Sequence, residues 1–215
     1  MASQEFTQWA GLSLALGGIG LVLHYVLHPL GENSQFIQST IWIPAHLIGA
    51  VSWVLILAGT FGFYYQYSKA LGRLGLVGFV LAFAGGVTRP GELLFLGSIA
   101  GPVIASQSPS MLDPGGALYL PLLISVGIAT FVYGVGYLLM AIRILPARVV
   151  PPWSTWLVIF SILLALATIG AYAAGTGAFI VGSVAGTIFS IGLFGWGYSL
   201  WSNWKPESSR TAVSA

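Results

Sequence analysis

The chain holds three histidines, His24, His28 and His46, and all of them fall in one stretch of 23 positions. On a helix His24 and His28 stand at i and i+4, so both project from one face, the spacing at which two imidazoles can share a metal ion. With Glu92 as an oxygen donor the set His24, His28, His46 and Glu92 forms a candidate metal site. Cysteine is absent, so such a site suits zinc, copper(II) or iron better than copper(I). An alternative is haem b held by two axial histidines, one from each of two helices, in an accessory subunit for membrane electron transfer. That alternative carries a geometric demand, because helices in direct contact stand about 8–10 Å apart and a haem between two imidazoles needs more room. A third reading uses Arg89, Glu92 and the histidines as the outer gate of a small-solute or proton-coupled transporter. Against all three stands a plainer one: histidines packed and hydrogen-bonded at helix ends, with Arg89 and Glu92, at i and i+3, forming a structural ion pair that clamps a kinked helix.

These residues must be carried by membrane-spanning helices. With 57% hydrophobic and 6% charged residues and a mean hydropathy of +0.91, the chain has too little polar surface to face water as a soluble domain. A net charge of +2 without any basic run offers nothing to a nucleic-acid backbone. A hydrocarbon layer about 30 Å thick calls for roughly 20 apolar residues at helical rise. Six runs approach that length: Trp9 to Leu27, Ile41 to Tyr65, Leu74 to Ile99, Leu118 to Ile142, Trp153 to Ala173 and Ala178 to Leu200. Pro90 interrupts the third and is expected to kink or break it, since it lacks a backbone donor and crowds the preceding turn. The first run is taken as a permanent span, because Glu5 and no Lys or Arg precede it. The expected fold is all-α, one bundle of six transmembrane helices over residues 1–204, followed by a short polar cytoplasmic tail at 205–215.

An even number of crossings places both termini on one side, together with Lys69, Arg73, Arg143, Arg148, Lys205 and Arg210. The opposite loops carry Glu32 and Asp113. Six of the seven basic residues therefore share one face, and the positive-inside rule puts that face and both termini in the cytoplasm, with the protein in the cytoplasmic (inner) membrane. The histidines and Arg89 then meet near the outer side, since Arg89 lies about 25 Å of helical rise beyond Gly72. Gly182 and Gly186 form a G-x-x-x-G; with Gly72, Gly75, Gly78, Gly127, Gly134 and Gly136 they offer small faces for packing within the chain or for a homo-oligomer.

Several short features recur together: Leu27-His28-Pro29 closing the first run, Ala45 to Gly49 opening the second, Glu92 ahead of Gly101-Pro102, and Arg143 to Pro146 in the loop before the fifth. The pattern resembles a group of bacterial six-helix integral membrane proteins of unknown function. The resemblance implies the six-span architecture and points to His28, His46 and Glu92, but it brings no activity. No H-E-x-x-H, G-x-S-x-G or phosphate-loop pattern is present. The expectation is a multi-pass membrane protein that binds a metal or small ligand at the His/Arg/Glu cluster, with no recognisable catalytic motif to favour an enzyme.

Overall fold

The computed structural model describes residues 2–169 and 176–202. The expected tail at 205–215, with Lys205 and Arg210, and the junction before the sixth run lie outside them. Among the described residues every regular element is helical. In order they are α1 (Ala2–Leu27), α2 (Ser34–Ile37), α3 (Trp42–Gly86), α4 (Thr88–Gly91), a π-helix (Glu92–Ala100), α5 (Gly101–Gln107), a short 3-10 turn (Pro109–Met111), α6 (Tyr119–Ala147), α7 (Pro152–Ile169) and α8 (Thr176–Ser202). Four stretches are long and apolar enough to cross a membrane: Gln4–Leu27, Trp42–Gln107, Tyr119–Ala147 and Phe179–Ser202; Pro152–Ala167 is apolar but shorter. Bulky apolar side chains lie both inside the bundle, as Trp53, Phe63 and Trp196 do, and on its surface, as Val26, Val51, Ile128 and Phe160 do. Helices apolar all round belong in hydrocarbon.

The 66-residue stretch Trp42–Gln107 is not one straight rod. As a continuous helix its residues 42 and 97 would stand about 80 Å apart, yet the Trp42 indole N–H donates to the Gly97 carbonyl at 2.6 Å. Tyr64 and Phe79 stack at 4.5 Å, and Gly86 faces Trp53 and Leu57. The chain therefore turns back between non-helical Tyr67 (φ −107°, ψ 15°) and Gly72 (φ 60°, ψ −159°), making two antiparallel arms of the second and third expected runs. Gly72 occupies a positive-φ region that a side chain resists. Gly72→Ala is expected to cost about 1–3 kcal/mol, read as a lower unfolding midpoint; an unchanged midpoint would mean the turn relaxes without loss.

Pro90 does not end the third run. It removes one donor from the helical ladder, and just beyond it the hydrogen bonds lengthen by one residue, as when Gly101 N–H reaches the Leu96 carbonyl. The helix thus continues past the expected Ile99 to Gln107. A second correction concerns Arg143 to Pro146, expected in a loop. They form the last turns of α6, where Arg143 Nε donates to the Leu71 carbonyl at 3.3 Å. The loop is only 148–151.

That bond joins the C-terminal end of α6 to the α3 turn, so Lys69, Arg73, Arg143 and Arg148 gather at one end of the bundle. Thr7 Oγ1 donates to Gln66 Oε1 at 3.4 Å and brings the N-terminal segment there as well. At the other end Asp113 Oδ1 accepts from Ser34 N and Ser34 Oγ at 3.0 and 2.8 Å, tying together the two loops that carry acidic residues. The second arm of α3 packs on α6 through glycine: a Cβ at Gly85 would stand 2.5 Å from Tyr133 N, and one at Gly78 2.7 Å from the Gly136 carbonyl. Gly186 of the G-x-x-x-G pair meets the Tyr25 ring, and Gly182 lines an internal cavity. Both are used inside the chain.

Candidate functional site

The three histidines converge because α1 and the first arm of α3 lie against each other along their length. Gly49 has no side chain, so the His24 ring fits over it, with Nδ1 2.8 Å from where a Cβ would be. From there Nδ1–H donates to the Ala45 carbonyl at 2.8 Å. His28, just past the end of α1, donates from Nδ1 to the Pro29 carbonyl at 2.7 Å, and His46 donates from Nδ1 to Trp42 one turn earlier at 2.8 Å. Carbonyl oxygens only accept, so the proton on each ring sits at Nδ1 and in the neutral imidazole Nε2 is left as an acceptor. None of the three Nε2 atoms has a protein partner among the described residues.

The rings touch. Centroids are 5.3 Å apart for His24 and His28, 4.8 Å for His28 and His46, and 5.7 Å for His24 and His46. Trp42 lies over His46 at 4.1 Å, and Phe179 of α8 closes on His28 at 5.3 Å. Gly97 of the π-helix supplies the floor: a Cβ there would stand 2.7 Å from His46 Cγ and 3.0 Å from its Nε2.

Arg89 and Glu92 face the same space. The Arg89 guanidinium donates to Glu92 Oε2 across one turn. Arg89 is 8% exposed, and its Nε, like Glu92 Oε1, has no hydrogen-bond partner among the described residues. A buried donor or acceptor left without a partner costs about 1–3 kcal/mol. Glu32, in the loop after α1, completes the polar group. Burial lifts its carboxyl above the ordinary range, against the pull of the Arg89 guanidinium and with help from the Glu92 carboxylate. A carboxyl whose folded pKa exceeds its unfolded one binds its proton more tightly when folded. The stability this gives is full below the unfolded pKa and is lost as pH rises through the folded value. Glu32→Gln, neutral at every pH, is therefore expected to lose less stability than the native chain between acid and neutral pH. Parallel stability curves for the two would refute this.

All of these groups line one cavity of about 540 Å³. His24, His28, Glu32, His46, Arg89 and Glu92 form its polar end, and the remaining wall is predominantly apolar, built by α6, α7, α8 and the π-helix. The five residues singled out from the sequence are thus neighbours. Among the described residues, however, no group of three or more His, Asp or Glu side chains is disposed to hold a metal ion. Glu32, Trp42 and Gly97 were not placed at the site by sequence. Glu32 and Trp42 each stand four positions from a histidine, a signal that was available; Gly97 had none, since its role depends on the α3 turn. No protein-family model, curated protein or solved structure matches the chain.

Proposed function

We propose that this chain is a six-span integral membrane protein that binds a small ligand in the cavity between α1, α3, the π-helix and the α6–α8 wall. The observation that carries the reading is the cavity itself. Its volume of about 540 Å³ falls within the range of small-molecule sites, about 300–1,000 Å³, and like them it pairs an apolar lining with a few convergent polar groups. Two antiparallel arms in Trp42–Gln107, together with α1, α6, α7 and α8, support six crossings. The gathering of Lys69, Arg73, Arg143 and Arg148 at one end supports a cytoplasmic placement for that end and for the N-terminus. The polar cluster then lies toward the outer leaflet.

The other two site chemistries fare unequally. A haem between α1 and α3 has no room, because Gly17 meets Ile56 and Gly49 meets His24 at contact distance. A metal ion has one observation in its favour, since imidazoles that bind metals also donate their second N–H to a carbonyl. Against it, although the three rings lie together, no three donor groups among the described residues are disposed to hold an ion.

The test uses Gly127→Trp. Gly127 lines the cavity, and a Cβ there meets nothing within 4 Å. Replacing a helical glycine by tryptophan removes about 0.5 kcal/mol of helix penalty, so the variant is expected to melt no lower than the native chain while its indole occupies the site. Native mass spectrometry of protein released directly from its membrane should show a bound small molecule on the native chain and none on the variant. An equal adduct on both, or none on the native chain, would overturn the reading.

A further inference from the structure

The way into this cavity, and the atoms at its end, narrow the class of molecule it can hold, an inference that rests on the reading of the cavity as a ligand site. Leu120, Ile124, Ile128 and Phe131 all line the cavity and are also 59%, 51%, 61% and 53% exposed. They succeed one another at i, i+4, i+8 and i+11, a single stripe along α6. A residue that belongs at once to the wall and to the outer surface marks a mouth. This mouth is wholly aliphatic and aromatic, and it runs along a helix long and apolar enough to cross a membrane. Near its other end α6 closes on α8, with Tyr133 and Tyr137 against Phe189 at 6.0 and 5.0 Å. The opening therefore faces the hydrocarbon.

The polar end has a definite hydrogen-bonding sense. Three imidazoles line the cavity, and because each Nδ1–H is held by a backbone carbonyl, their Nε2 atoms are the acceptors left for a ligand. Arg89 and Glu92 cancel each other's charge, and burial favours the neutral form of Glu32. Acceptors thus dominate without any surplus of positive charge, and an anionic head finds no free counter-charge. We infer that the ligand is a lipid-soluble amphiphile with an uncharged, hydroxyl-bearing head, which enters sideways from the bilayer past the α6 stripe and donates its hydroxyls to the histidine Nε2 atoms. A hydroquinone, an isoprenoid alcohol and a diacylglycerol share this chemistry.

The experiment is a thermal-shift titration of the purified full chain with decylhydroquinone, farnesol and dioctanoylglycerol. Each is paired with its O-methylated analogue, dodecanoate serves as an anionic control, and Gly127→Trp is run in parallel. At least one hydroxyl-bearing probe is expected to raise the melting temperature of the native chain and not that of the variant. Its methyl ether should bind roughly tenfold or more weakly, because the buried acceptor is then left without its donor. The strongest of the three probes identifies the source. A methyl ether that binds equally well, or dodecanoate binding best, overturns the head-group assignment while leaving the cavity as a ligand site. Shifts of equal size in Gly127→Trp overturn entry and binding at this cavity. If no probe shifts the native chain although native mass spectrometry still shows an adduct lost in the variant, the inference fails and the ligand-site reading stands.

Discussion

Arg89→Leu is expected to lower the unfolding free energy by about 3–5 kcal/mol, the usual consequence of stripping one partner from a buried ion pair. The cost is not chiefly the lost hydrogen bond. Glu92 would be left as an uncompensated charge at the edge of a cavity whose other walls are apolar, and in a bilayer an unpaired charge has still less recourse to water. Glu92→Gln should be milder, since Arg89 is the longer side chain and can seek Glu32, whose carboxyl, held neutral by burial in the native chain, would ionise beside an unpaired guanidinium. The double variant Arg89→Leu with Glu92→Leu is the decisive control. Because a buried pair exchanged for apolar groups is often neutral or stabilising, it should recover most of the loss. Chemical unfolding in mild detergent measures all three. A double variant as unstable as Arg89→Leu alone would mean that the guanidinium serves contacts other than Glu92, and an Arg89→Leu chain as stable as the native one would remove the clamp altogether.

Legibility in the sequence depended on the range of each signal. The helical class and the apolar runs were legible because membrane burial demands long apolar segments whatever their neighbours. The proximity of His24 to His28 was legible too, since it is a matter of i, i+4 spacing within one helix. The meeting of His46 and Arg89 with them rested on counting crossings, and the α3 turn at Gly72 brings them to one cavity end. Two local expectations met local physics. Pro90 is expected to kink or break its helix; the run is interrupted only at Val87 and passes into π geometry at Glu92, so the chain continues as a helix with hydrogen bonds lengthened by one residue. Arg143 to Pro146, expected in a loop, end α6 instead, since a proline within two residues of a helix end removes only one of the last ladder bonds. The cavity was not legible at all. It exists because the stripe of α6 from Leu120 to Phe131 lines an opening that its other end closes against α8, and single-helix periodicity carries no information on how two helices diverge.

Gly97→Leu is expected to disable the site and destabilise the chain together. A Cβ at this position would overlap the His46 ring, so even the first carbon of the new side chain forces either His46 or the π-helix to move. Overpacking of this kind costs about 1–3 kcal/mol. His46 has little freedom to yield, with Trp42 on one face at 4.1 Å, His28 and His24 beside it, and Nδ1 tied to the Trp42 carbonyl. If instead the π-helix yields, the Gly97 carbonyl withdraws from the Trp42 indole it accepts at 2.6 Å, a further loss of about 1 kcal/mol. Either route displaces the acceptors at the polar end of the cavity. Gly97→Ala should therefore lower the melting temperature less than Gly97→Leu, while both lose the small molecule retained by the native chain. Gly91→Leu supplies the comparison, because Gly91 is exposed beside the same helix and a Cβ there meets nothing within 4 Å; it should leave stability and ligand retention near native values. If Gly97→Leu behaved like Gly91→Leu, the contact between the π-helix and the histidines would be too loose to position them, and the site would need another support.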